Sequence, residues 1–197
     1  MDLLRENPSM HKASSKQVFT TVSRFILLSV ISLIIQGCAT PKIPLTYSPS
    51  SVSTASGSVS VSGFRYLPAE TGKVEPCQIR NTALGSLKFD QNIDVFFRDA
   101  VFKEMRFVGI KLDDKDRVLS GEIEDFLIDD LGYSVDWTLK VRYLVKDVQS
   151  GNTLYESTKT TQRKTNKFAN VFGSLNETIK LNVEELLKDG AFIKAIN

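Results

Sequence analysis

The 197-residue sequence predicts an α+β fold: a two-layer α/β sandwich in which a mainly antiparallel sheet of about four strands carries two amphipathic helices on one face. Three observations predict it. Residues 133–145 alternate apolar and polar without a break, which is the signature of a strand with one buried and one wet face. Segments 92–108 and 167–187 instead repeat their apolar residues every three or four positions, as helices with one core-facing stripe do. Turn signals, Asp129-Asp130-Leu131-Gly132 and Gln149-Ser150-Gly151-Asn152, divide the strand-forming stretches into hairpins.

Taken in order, residues 58–66 form the first strand, with Val59, Val61 and Gly63 alternating with serines before Phe64. Pro68, Gly72, Pro76 and Gly85 make residues 67–89 a loop, after which Asp90 or Asn92 caps a helix. That helix places Ile93, Phe96, Phe97, Ala100, Val101, Met105 and Val108 on one face and Arg98, Asp99, Lys103 and Glu104 elsewhere; Gly109 ends it. Residues 117–128 form the next strand. In the strand after it, Tyr133, Val135, Trp137, Leu139, Val141, Tyr143 and Val145 point inward while Ser134, Asp136, Thr138, Lys140, Arg142 and Lys146 point outward. A further strand covers 153–162. The last helix steps through Phe168, Phe172, Leu175, Ile179, Val183 and Leu186 and stops at Gly190. The resulting order is β-α-β-β-β-α.

Ahead of this domain lies a targeting segment. Lys12, Lys16 and Arg24 precede the apolar run 25–35, which is shorter than the roughly 20 residues a membrane-spanning helix needs and has the form of a signal peptide. It ends in Ile35-Gln36-Gly37-Cys38, which resembles the lipobox of bacterial lipoproteins. That resemblance implies cleavage before Cys38, acylation of Cys38, and attachment to a membrane through acyl chains. Ala39 follows, where an Asp favours retention in the inner membrane, so the periplasmic face of the outer membrane is the expected location. The domain plan is therefore 1–37 signal, 38–57 lipidated cysteine and Ser/Thr/Pro-rich tether, and 58–197 one globular periplasmic domain. Extended at about 3.1 Å per residue, the tether gives the domain up to roughly 60 Å of reach.

Cleavage changes what the composition allows. His11 is the only histidine and lies in the discarded part, so the mature chain has no Ser-His-Asp or Cys-His pair and no histidine zinc ligand. Removal of Arg5, Lys12, Lys16, Arg24, Asp2 and Glu6 from 25 basic and 23 acidic residues leaves the two signs equal, which gives no basis for a nucleic-acid partner. Cys77 has no intramolecular partner once Cys38 is acylated. Phosphate-binding glycine motifs are absent. The expectation is no catalytic residue, no metal and no cofactor.

The lipobox, a Pro-rich start (Pro41, Pro44, Tyr47, Pro49), a first strand, Ile79-Arg80-Asn81 before a helix ending in Phe107-Val108-Gly109, a long hairpin and a terminal helix together resemble the YajG-type lipoproteins of Gram-negative bacteria. The layout also resembles the auxiliary lipoproteins of lipid-transporting ABC systems and the lipopolysaccharide-assembly lipoprotein that plugs a barrel. These resemblances imply a location and a fold rather than a reaction.

Few groups remain for chemistry. Asp113, Asp114 and Asp116 lie in one loop, with Glu122, Glu124, Asp125, Asp129 and Asp130 beyond; Val118 stands where a calcium loop needs a ligand, so a solvated turn is expected. Lys159, Arg163, Lys164 and Lys167 form the one basic cluster, a candidate patch for an anionic partner such as lipopolysaccharide phosphate. The expected function is a non-enzymatic, lipid-anchored periplasmic domain that binds an envelope protein or component. The alternative is an accessory lipoprotein of lipid or lipopolysaccharide transport, which would need an apolar cavity between the 92–108 helix and the sheet. A hydrolase working through carboxylates alone would need two acids converging in a cleft.

Overall fold

The computed structural model describes residues 42–82 and 88–197. Its elements are β1 (Ser60–Tyr66), α1 (Leu67–Glu70), β2 (Arg80–Asn81), α2 (Ile93–Phe107), β3 (Arg117–Asp129), β4 (Ser134–Asp147), β5 (Thr153–Asn166), α3 (Val171–Leu187) and α4 (Gly190–Ala195). The fold is an α+β sandwich, as the hydrophobic periods require. The sheet runs β1-β3-β4-β5, and β2 also pairs with β3. β3, β4 and β5 form two antiparallel hairpins, while β1 and β2 lie parallel along the other edge of β3, β2 beyond the end of β1. A parallel pair needs a long crossover, and α2 lies within it.

The core fills the space between the sheet and α2 and α3. From α2, Ile93, Phe96, Phe97, Ala100, Val101 and Met105 are buried; from α3, Leu175, Ile179, Val183 and Leu186. Phe64 meets Phe97 and Tyr143 edge to face, with ring centroids 5.2 and 5.9 Å apart. This packing requires Gly121, where a Cβ would lie 2.4 Å from the Arg142 carbonyl oxygen and 2.7 Å from the Phe64 ring. Asn182 is the polar exception on α3. Its amide donates to the carbonyls of Leu139 and Lys159 and to Thr161 Oγ1, and its oxygen accepts from the Tyr143 hydroxyl at 2.7 Å, so a buried amide is fully used.

The structure departs from the sequence expectations in several places. Residues 43–57 are not a free tether. Leu45, Tyr47 and Ser51 are buried, and the segment straps the two long helices from outside: the Tyr47 hydroxyl and the Ser50 and Ser51 N–H groups donate to Glu104 on α2, and Ser51 Oγ donates to Glu184 on α3. Glu104, expected on the polar side of its helix, is consequently fully buried. The last helix begins at Val171 rather than 167, because Asn170 caps it by accepting from the N–H groups of Phe172 and Gly173; Phe168 is therefore outside the helix and 97% exposed. Tyr133, phased inward by alternation, belongs to the β3–β4 turn and is fully exposed. Gly190 does not stop a helix but opens α4, whose cap is Asp189, accepting from Ala191 N–H. Among the described residues no helix is long and apolar enough to cross a membrane.

Candidate functional site

Of the residues singled out from the sequence, Cys38 lies outside the described residues. The four basic residues do not form one patch. Lys159 and Arg163 share the helix-facing side of β5, where Lys159 bonds Asp189 at 2.7 Å and Arg163 donates to the Ser174 carbonyl at 2.9 Å. Lys164 points to the opposite face and pairs with Asp136 at 3.3 Å. Lys167 clamps the carbonyls of Asp130 and Gly132 at 2.8 and 3.0 Å. Strand alternation separates them, and each is engaged within the chain.

The acidic loop is also committed to structure. Asp114 Oδ1 accepts from the N–H groups of Asp116 and Arg117, and Asp116 accepts from the Gln149 amide, an arrangement that closes a turn. Among the described residues, no three His, Cys, Asp or Glu side chains are grouped as a metal site. Cys77 is a half-buried free thiol whose carbonyl accepts from Phe89 N–H.

What the fold does assemble is a charged face on the side of the sheet away from the helices. Arg142, at its centre, pairs with Glu122 on β3 and with Glu156 on β5 at 3.0 Å. Arg65 on β1 joins Glu122 at 2.9 Å and also Glu70. Lys140 reaches Glu124 at 2.9 Å, Arg80 on β2 reaches Asp125 at 2.6 Å, and Lys164 meets Asp136. The Arg142 hydrogen bond is the chief cause holding the Glu122 carboxyl below the usual range. Each of these charges has an opposite neighbour, so this part of the face is polar and nearly self-neutralised. The outward residues of β4 were legible from alternation; Arg65, Glu70 and Glu156 were not, because pairing register, rather than local pattern, brings them together.

A second feature occupies one end of the sheet. The β3–β4 turn, the β5–α3 loop and the first residues of α3 expose Leu131, Tyr133, Phe168, Val171 and Phe172, and Lys167 fastens the turn to the loop. Beneath them is a cleft of about 40 Å³ lined by Ile128, Val135, Trp137, Val171 and Lys167, far below the several hundred Å³ of an ordinary ligand pocket. The interface between α2 and the sheet, where a lipid cavity would have to open, is occupied by the buried Phe64, Phe96, Phe97 and Met105. An open groove of about 540 Å³ beside Phe102, Arg106 and Leu112 lies at the far end of α2 instead.

No family model matches the sequence, and no curated protein matches it. The fold is similar to that of a Xanthomonas campestris protein assigned to DUF330, at a TM-score of 0.61 and 13% identity over 78% of this chain and 96% of that one. Weaker similarities are to a lipoprotein from Caulobacter crescentus, at a TM-score of 0.34 and 10% identity over 50% of this chain and 77% of that one, and to the lipoprotein GNA1162 from Neisseria meningitidis, at 0.29 and 10% over 66% and 99%.

Proposed function

We propose that the chain is a lipoprotein of the bacterial envelope, held through acyl chains on Cys38 at the periplasmic face of the outer membrane, that works without catalysis by binding an envelope protein through the outward face of its sheet. The observation that carries the binding role is the ladder of paired charges across β1, β3, β4 and β5, on the side of the sheet away from α2 and α3. A self-compensated polar face keeps the protein soluble when alone and matches a partner that presents its own mixed charges, since electrostatic pattern confers selectivity more than affinity. The signal run, the lipobox and the YajG-type layout support the anchor. Against the alternative role in handling lipid or lipopolysaccharide stands the filled contact between α2 and the sheet, which leaves an acyl chain no interior site there.

Two variants test the two halves separately. Cys38→Ser should give an unacylated protein recovered in the soluble periplasmic fraction; continued membrane association through residues 25–35 would contradict the anchor. Lys140→Glu, at an exposed position on the ladder, should leave the fold and the anchor intact while the partner no longer co-purifies from detergent-solubilised membranes. An unchanged set of co-purifying proteins would contradict the binding face.

A further inference from the structure

The strap decides at which end of the domain the chain leading back to Cys38 leaves. Ile43 bridges Phe89, its carbonyl accepts from Asp90 N–H at 3.0 Å, and Leu45 N–H donates to Asp90 Oδ1 at 3.0 Å, immediately before the N-terminus of α2. α2 runs away from this end: its last residues lie with Gly57 and Lys111 near the start of β1. β1 and β3 run toward it, so the β3–β4 turn and the β5–α3 loop are at the same end as Ile43. Only residues 39–42 separate Ile43 from Cys38. Fully extended, they allow less than about 18 Å between the two Cα atoms, not the roughly 60 Å of a free tether.

We infer that this end is a second membrane contact: Leu131, Tyr133, Phe168 and Phe172 seat in the headgroup boundary of the phospholipid leaflet that holds the Cys38 acyl chains. The inference rests on the anchor reading above and adds to it. Four observations converge. On the anchor reading, only residues 39–42 lie between Cys38 and Ile43, which keeps this end close to the bilayer. The apolar residues here are unusually exposed, Phe168 at 97%, Tyr133 at 102% and Leu131 at 70%. Lys167 bridges the two loops, so the side chains are presented on a fastened platform. Tyrosine and phenylalanine supply the mixture of apolar body and wet edge that interfaces favour, with the exposed Lys42 able to reach anionic headgroups. With this end down, the strands stand away from the bilayer and the charged sheet face is turned sideways, open to a neighbour in the same leaflet.

The test uses the acylated full chain in vesicles of phosphatidylethanolamine and phosphatidylglycerol with brominated acyl chains, which quench tryptophan at short range. Phe168→Trp and Leu154→Trp, the latter at the opposite end where β5 begins, are each compared with the parent carrying only Trp137. The added emission of Phe168→Trp should be blue-shifted and largely lost, that of Leu154→Trp unaffected. Flotation with vesicles but equal, unquenched emission from both sites would overturn the membrane contact and leave the anchor standing. Failure to float would overturn the anchor and this inference with it.

Discussion

Glu104 is a carboxylate with no exposed surface, set in the middle of an otherwise apolar helical stripe. It persists there because three donors converge on it: the Tyr47 hydroxyl at 2.6 Å and the N–H groups of Ser50 and Ser51 at 3.1 and 3.3 Å. Burial, reinforced by the Glu104 hydrogen bond, pushes the Tyr47 hydroxyl well above its ordinary pKa, so the tyrosine stays a donor at any physiological pH. Replacing Glu104 by Ala orphans a buried hydroxyl and two backbone donors and should destabilise the domain by about 3 kcal/mol, with loss of amide-exchange protection at Ser50 and Ser51. Unchanged urea midpoints together with unchanged protection would show that the strap is not held this way. No local pattern hints at this role: helical spacing puts Glu104 beside the core stripe, and only its partners, more than 50 residues earlier, make its burial tolerable.

At the scale of elements, periodicity located β3, β4, β5, α2 and α3 because each is long enough to repeat its pattern several times. It failed at their ends, where capping and turn geometry override phase. Tyr133 continues the β4 alternation yet belongs to the turn, and Phe168 continues the α3 spacing yet precedes its Asn170 cap. β2, with two residues, has no period to detect, and α1 is hidden in a loop rich in Pro and Gly. α4 shows how a short helix is secured by one side chain. Asp189 caps it, accepts from Lys159 at 2.7 Å and from the Tyr155 hydroxyl at 2.8 Å, and so ties α4 to β5. The Lys159 hydrogen bond, then that of Tyr155, lowers the Asp189 carboxyl to about 2. A carboxyl depressed in the folded state contributes stability that is complete above its unfolded value, near 4, and is lost as pH falls toward 2. Asp189→Asn keeps a capping side chain but loses the ion pair with Lys159, and should therefore lower stability at neutral pH by about 1 kcal/mol and flatten the acid limb of the stability profile between about pH 4 and 2. An acid limb identical to that of the parent would refute the assignment.

For the whole molecule, the sandwich was legible because its two layers are written as two different periods, while the candidate surfaces were not. The basic cluster looked continuous in sequence, but β5 alternation sends Lys159 and Arg163 to one side and Lys164 to the other, and all four are consumed by internal bonds. The charged face, conversely, draws on β1, β2, β3, β4 and β5 at once and exists only after the strands pair. On the proposed anchor, the strap and the short leash would hold the domain close to its membrane with the polar sheet face free. A scan with a photoreactive residue along β5 in intact cells tests that account most directly. Substitution at the outward positions Thr158, Thr160 and Gln162 should each give the same discrete crosslinked protein, while Val148, in the turn at the far end of the sheet, gives none. Crosslinks from Val148 alone, or from Phe102 on the helix side, with the outward β5 positions silent, would contradict it.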